Sequence, residues 1–261
     1  MPFFYTEQNA IYYESIGERG PWLALLNGYT RSSRDFRLLA KRLASKQLRV
    51  LLVDNRGSGQ SSAAPGFTME DLAADLAQIA ASLAIEQLTV VGVSFGGVIA
   101  QCVARNYPQL VERLLLVSTA DKKNYFQLSR TWPEDLVAAE QELSPLVSAG
   151  FRQANPLLFQ ALCKNIWQGS RAPGFRQQAE AQRAALLDYL ESPLQAKSIT
   201  CPSLIIHGEQ DAMVPCQAAY DLQQAIPQAR LQLIPEAGHL LLVEKPAELT
   251  AAIGEFIRGP S

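Results

Sequence analysis

Two hydrophobic patterns alternate along this chain. Short blocks of aliphatic and β-branched residues stand between turn formers: Leu23-Ala-Leu-Leu, Val50-Leu-Leu-Val, Leu88-Thr-Val-Val-Gly-Val, Leu114-Leu-Leu-Val-Ser and Leu204-Ile-Ile. Apolar on both faces and of strand length, they suit a parallel sheet covered by helices on each side. Arg230 to Ile234 is also strand-like, and Phe3 to Gly17 reads as an opening hairpin. Between the blocks, apolar residues recur at helical spacing over Ser33 to Ser45, Met69 to Ala84, Val98 to Tyr107 and Pro246 to Ile257. Thr68 is placed to cap the second of these helices, Pro108 follows the third, and Pro246 opens the fourth, where an N–H has no intrahelical partner anyway.

From Thr119 to about Ser192 the strand rhythm stops. The chain there is helical and mixed, with Trp132, Pro133, Phe151, Pro156, Phe159, Trp167, Pro173 and Phe175, and strand character returns at Cys201-Pro-Ser-Leu-Ile-Ile. No internal repeat or low-complexity linker interrupts it. A chain of 261 residues with this alternation is expected to form one core with an insertion. The formal net charge of −2 gives no electrostatic case for nucleic acid or an anionic membrane. The longest apolar runs are strand length, so no segment is expected to span a bilayer. The N-terminus, Met1-Pro-Phe-Phe-Tyr-Thr-Glu, lacks the basic and apolar regions of a secretory signal, which predicts a cytoplasmic location. Cys102, Cys163, Cys201 and Cys216 are widely spaced, as small core hydrophobes would be rather than metal ligands or disulfides. The arginines and lysines of the insertion, Arg130, Arg152, Lys164, Arg171, Arg176 and Arg183, are matched by a similar number of acids and read as solvated faces.

The chemistry concentrates at Gly92-Val-Ser94-Phe-Gly96, where a buried strand turns sharply into a helix. Small residues two before and two after the serine allow a turn too tight for side chains, and the turn lifts the Ser94 hydroxyl clear of the sheet. A serine hydroxyl needs a base. Only two histidines exist, and His239 lies on the loop Pro235-Glu-Ala-Gly-His239 beyond the last strand, at the sheet edge where the serine emerges. His207 ends the Leu204 to Ile206 strand and reads as a structural neighbour. A carboxylate must orient the imidazole and stabilise its cation. Asp211, in Gly208-Glu-Gln-Asp211-Ala-Met-Val-Pro, is the best candidate, with Glu209 on the same loop and Asp121 after the Leu114 to Ser118 strand as rivals.

The order Ser94, Asp211, His239 resembles that of the α/β-hydrolase superfamily, and the likeness spans nearly the whole chain. Leu23-Ala-Leu-Leu-Asn27-Gly28-Tyr29 is similar to the family's oxyanion strand and loop, and Asp54-Asn-Arg56-Gly-Ser-Gly-Gln-Ser61 to its Asp-x-Arg-Gly-x-Gly-x-Ser turn. That turn lacks the Gly-Lys-Ser/Thr ending of a phosphate loop and the spacing of a dinucleotide site; Asp54 and Arg56 are expected to fix it by hydrogen bonds. Asn27 stands where many relatives carry histidine. The resemblance implies an eight-stranded, mostly parallel sheet flanked by helices, a core of residues 1–120 and 193–261, and a helical cap at 121–192 whose apolar side chains would line an acyl pocket. It also implies an oxyanion hole of the Tyr29 and Phe95 amides. The activity implied is carboxylic ester hydrolysis through an acyl-enzyme on Ser94, without cofactor or metal. Enol-lactonase or meta-cleavage C–C hydrolase chemistry, a perhydrolase or a proline iminopeptidase are alternatives. So are methyl-ester cleavage on an acyl carrier protein and a non-catalytic receptor of the same fold. A serine at the elbow argues against the branches whose nucleophile is an aspartate.

Overall fold

A computed structural model of the chain describes residues 3–64, 66–126, 132–191 and 196–259. Eight strands form one sheet in the order β1-β2-β4-β3-β5-β6-β7-β8. They are β1 (Phe3–Tyr5), β2 (Ala10–Ile16), β3 (Trp22–Leu26), β4 (Arg49–Val53), β5 (Leu88–Val93), β6 (Val111–Val117), β7 (Ser203–Gly208) and β8 (Ala229–Ile234). β1 and β2 form the expected hairpin, β2 runs antiparallel to β4, and every other neighbouring pair is parallel.

Because successive side chains of a strand point to opposite faces, each apolar block supplies two cores at once. Ala24 and Leu26 face the side covered by α2 (Met69–Ser82), α3 (Phe95–Asn106) and α8 (Gln217–Ala225). Leu23 and Leu25 face the side covered by α1 (Arg37–Ala44) and α10 (Pro246–Arg258). The parallel crossovers bring the carboxyl ends of β3, β5, β7 and β8 to one edge, where the candidate residues lie.

Helix boundaries differ from the sequence expectation by up to four residues, as where α3 begins at Phe95 and not Val98, and two of the differences have clear local reasons. The segment expected to be helical from Ser33 begins as a single 3₁₀ turn, Ser33–Phe36, and becomes α-helical at Arg37. The Ser33 N–H, an orphan donor at a helix start, donates to Asp54 Oδ1 at 2.6 Å, which pins the entry turn to the end of β4. The second helix ends at Ser82, because Ala84 takes a left-handed φ of 52° and Ile85 N–H bonds back to the Ala80 carbonyl. Its start is as expected. The Thr68 hydroxyl accepts from Asp71 N–H at 3.1 Å and the Asp71 carboxylate accepts from Thr68 N–H at 2.8 Å, a closed capping box.

Between β6 and β7 the chain forms α4 (Leu136–Leu143), α5 (Ala149–Ala154), α6 (Pro156–Gly169) and α7 (Phe175–Tyr189). Among the described residues no helix is long and apolar enough to cross a membrane.

Thr68→Ala opens the capping box of α2 and should cost about 1 kcal/mol. The expected result is a lower urea midpoint at unchanged m; an unchanged midpoint would show that the cap contributes nothing.

Candidate active site

Ser94 joins β5 to α3 with φ 53° and ψ −118°, a conformation that L-residues rarely adopt. Such a residue costs on the order of 1–3 kcal/mol and persists only where its surroundings over-determine it. The surroundings are on both peptide units. Ser94 N–H donates to the Val117 carbonyl at 2.9 Å, and the Ser94 carbonyl accepts from Gly97 N–H at 2.8 Å and from the Thr119 hydroxyl at 2.6 Å. The flanking glycines are required by contact. A Cβ on Gly92 would lie 2.2 Å from the Gly96 carbonyl oxygen, and one on Gly96 would lie 2.2 Å from that of Leu26.

His239 follows β8 on a loop packed against the loop after β7, where Gln210 N–H donates to the Ala237 carbonyl at 2.8 Å. That packing places Asp211 beside the imidazole. Asp211 Oδ1 accepts from the Met213 and Val214 amides, both at 2.9 Å, which leaves Oδ2 to meet His239 Nδ1 at 2.8 Å. A carboxylate can only accept, so Nδ1 carries the proton and Nε2 of the neutral ring is left as the acceptor. Both residues are buried. Of the rival acids, Glu209 is exposed, and Asp121 is buried beside Lys122 with its carboxyl pushed above the usual range by burial. Neither meets a histidine among the described residues.

His207 is nearer to this pair than a plain strand residue needs to be. Its Nε2 lies 2.9 Å from the Val214 carbonyl and 3.4 Å from Asp211 Oδ2. The carbonyl can only accept, so Nε2 carries the proton, and complete burial pushes the imidazole below its ordinary pKa despite the adjacent carboxylate.

On the other side of Ser94 lies Gly28, where a Cβ would stand in ordinary van der Waals contact, 3.8 Å from Ser94 Cβ. Asn27 holds the base of this loop: its Nδ2 donates to the Val53 carbonyl at 3.0 Å, and its carbonyl accepts from Asn55 Nδ2 at 3.1 Å. Among the described residues the amides of Tyr29 and Phe95 have no hydrogen-bond acceptor. The Asp54 carboxylate does brace its turn, accepting from Gln60 N–H as well as Ser33 N–H. The Arg56 side chain points the other way, to Asp75 on α2 in a paired contact of 2.7 and 2.8 Å, so it fastens the turn to a helix.

Ser94 and His239 line one cavity of about 600 Å³, within the range of small-molecule sites. The segment between β6 and β7 supplies an apolar wall that includes Trp132, Leu143, Leu146, Leu162, Ile166 and Trp167. Phe151 and Phe159 instead pack within that helical segment, and Phe175 stacks edge-on against Trp132 at 4.7 Å. The expected basic residues are mostly engaged or exposed: Arg183 pairs with Glu180, and Arg152 donates to the Ser144 and Val147 carbonyls. Arg130 lies outside the described residues. Among those described, no group of three or more His, Cys, Asp or Glu stands close enough to hold a metal ion.

A family model described as the alpha/beta hydrolase fold matches residues 21–246. The chain is similar to the pimeloyl-[acyl-carrier protein] methyl ester esterase of Chromobacterium violaceum, at 30% identity over 262 residues, covering 95% of this chain and 98% of that one. It is also similar to the 2-hydroxymuconate semialdehyde hydrolase of Pseudomonas sp. strain CF600, at 30% identity over 232 residues, covering 85% of this chain and 81% of the relative. Among solved structures, that of a thermophilic esterase from Thermogutta terrifontis with malate bound aligns with a TM-score of 0.80 at 26% identity, covering 98% and 96% of the two chains.

The depressed pKa of His207 has a sign that can be measured. Below about pH 6.5 the unfolded chain takes up a proton that the folded imidazole refuses, so stability present above that pH is lost as pH falls. His207→Gln keeps a side-chain donor near Val214 and removes the titrating group. Urea unfolding from about pH 7 down to about pH 5.5 should therefore show a smaller loss for the variant than for the wild type; equal losses would mean that His207 is not held neutral.

Proposed function

The chain belongs to the α/β hydrolase fold family, and on that premise we propose that it hydrolyses a carboxylic ester through an acyl-enzyme on Ser94. One observation carries this reading: an imidazole already oriented by Asp211 at 2.8 Å lines the same cavity as the strained serine. In the proposed reaction His239 Nε2 takes the hydroxyl proton as Ser94 attacks the acyl carbonyl. The Tyr29 and Phe95 amides, which have no other acceptor among the described residues, hold the oxyanion. His239 then returns the proton to the departing alcohol, and water repeats the two half-steps on the acyl-enzyme. Asp211 stays ionised throughout and stabilises the imidazolium that forms in each half.

The acyl portion would lie along the apolar wall, which excludes water and leaves few polar groups to compete with an alkyl chain. We assign residues 121–192 to a cap that builds this wall and residues 1–120 and 193–261 to the catalytic core. The relatives named above are a carrier-protein methyl ester esterase and a 2-hydroxymuconate semialdehyde hydrolase, so a carrier-bound methyl ester and a vinylogous diketone, with an enol-lactone, belong in the substrate panel.

Ser94→Ala should lower kcat by about 10⁴-fold or more, and Asp211→Asn by roughly 10³–10⁴-fold with the fold retained. A fluorophosphonate should add once, at Ser94, by intact mass and peptide mapping. The purified protein is then assayed on p-nitrophenyl esters from acetyl to dodecanoyl, a carrier-bound methyl ester, an enol-lactone and a vinylogous diketone. Highest kcat/KM on an ester is expected. Preference for the diketone or lactone would move the reading to those reactions, and turnover with no label at Ser94 would end it.

A further inference from the structure

Gln182, on α7, is fully buried, and its carboxamide bonds entirely outside its own helix. Oε1 accepts from Thr30 N–H at 2.9 Å, while Nε2 donates to the Arg56 carbonyl and to the Ser58 hydroxyl, each at 2.8 Å. One amide from the cap thus ties together two core loops, the one after β3 and the one after β4.

The loop after β3 needs such a tie. Gly28 to Arg31 is a turn closed by Arg31 N–H to the Gly28 carbonyl at 3.1 Å, and its third residue, Thr30, sits at φ 59°. Glycine or asparagine is favoured there, and a β-branched residue is strained. The Thr30 amide is the second half of the peptide unit that leaves Tyr29, so its acceptor sets the orientation of that unit. Tyr29 is gripped a second time by the same helix: its hydroxyl donates to the Ala179 carbonyl at 3.0 Å, three residues before Gln182 and on the same helix face.

We propose that Gln182 is a positioning residue that holds the Gly28–Thr30 turn in the conformation that presents the Tyr29 amide to the oxyanion. This inference rests on the reading of Ser94 as nucleophile and Tyr29 as an oxyanion donor. Gln182 touches neither substrate nor Ser94; it acts through the backbone of Thr30. Losing it leaves the half-buried Thr30 N–H without its acceptor and the strained turn without its tie, so the turn relaxes and the oxyanion donor shifts.

The test uses Gln182→Leu, which keeps the bulk and removes the hydrogen bonds, in the full-length protein. With a p-nitrophenyl ester, kcat should fall about 10–100-fold, less than the loss of an oxyanion donor outright, while KM changes no more than about twofold. Affinity for a trifluoromethyl ketone, whose adduct carries the oxyanion, should fall by the same factor as kcat. Thr30→Gly added to Gln182→Leu should recover part of kcat, because glycine holds the left-handed turn without an acceptor. Gln182→Asn, which keeps an amide, serves if the leucine variant does not fold, and should lose less kcat than Gln182→Ala. Kcat and ketone affinity within twofold of wild type in the folded variant, or a loss seen only in KM with no rescue by Thr30→Gly, would overturn the inference. Fluorophosphonate labelling of the wild type separates the levels: label at Ser94 with an unaffected Gln182→Leu sinks this inference alone, whereas no label at Ser94 sinks the reading beneath it.

Discussion

The left-handed backbone of Ser94 is the constraint on which the rest of this site depends. A residue at φ 53° between a strand and a helix brings the two elements so close that a Cβ two residues before it, on Gly92, would strike the Gly96 carbonyl. The same closeness brings the Leu26 and Asn27 carbonyls against Gly96, so the end of β3 is set by the elbow and not only by its own strand pairing. Gly28 and Tyr29 inherit their position from that contact. The strain is borne by a scaffold with a large margin: β5 is buried at every residue, and nearly all of α3 is buried with it. A local cost of a few kcal/mol is tolerable there because unfolding the elbow would expose the centre of both cores.

The loops on either side of the serine are fastened to the helical segment. Gln182 joins the loop after β3. On the other side, Glu244, in the short helix α9 (Leu241–Glu244), accepts from Gly238 N–H at 2.8 Å with one oxygen and from Ser148 N–H at 2.9 Å with the other. Leu240 N–H donates to the Leu146 carbonyl at 2.9 Å. Gly238 is glycine for the same reason that Gly96 is: a Cβ would lie 2.7 Å from Ser148 N. The imidazole of His239 thus stands between a core carboxylate and a loop whose backbone is tied to the segment above it.

Much of this was legible in the chain because the informative signals are short-range. A tight strand-to-helix turn demands glycine at fixed offsets from Ser94, and a loop histidine beyond the last strand is restricted in what it can reach. The sequence favours Asp211 over Glu209 and Asp121 without excluding them, since all three lie at one sheet edge; the Met213 and Val214 amides that orient it follow no composition rule. The helices after β6 were seen only as a helical stretch, because several carry apolar residues on more than one face, as Leu157, Leu158 and Val137 show by remaining exposed. α8 is equally hard to read from the sequence, being only nine residues long. Gln182 and Glu244 carry no sequence signature: a glutamine on an amphipathic helix reads as solvated until the partner loops are seen.

The packing also divides the inserted segment in a way its sequence boundaries do not. Ala185 and Leu186 of α7, with Leu190 just beyond, belong to the same core cluster as α2 and α3, and Gln182 adds three hydrogen bonds to core loops. α4, α5 and α6 rest on a separate small cluster centred on Val147, Phe159 and Cys163. Lifting α7 would expose part of the main core and strip the turn after β3 of its tie at Thr30. Lifting α4 to α6 as a unit would keep most of their own cluster together, although it would break the Glu244 contact at Ser148 and the Leu240 bond to the Leu146 carbonyl. If burial is converted at about 25 cal/mol per Å² of apolar surface, the cheaper displacement is that of α4 to α6. Those helices supply Leu143, Leu162, Ile166 and Trp167 to the cavity wall. On the reading proposed above, the cavity wall is therefore built by the helices with the least invested in the core, while α7 is held in register with the loop after β3.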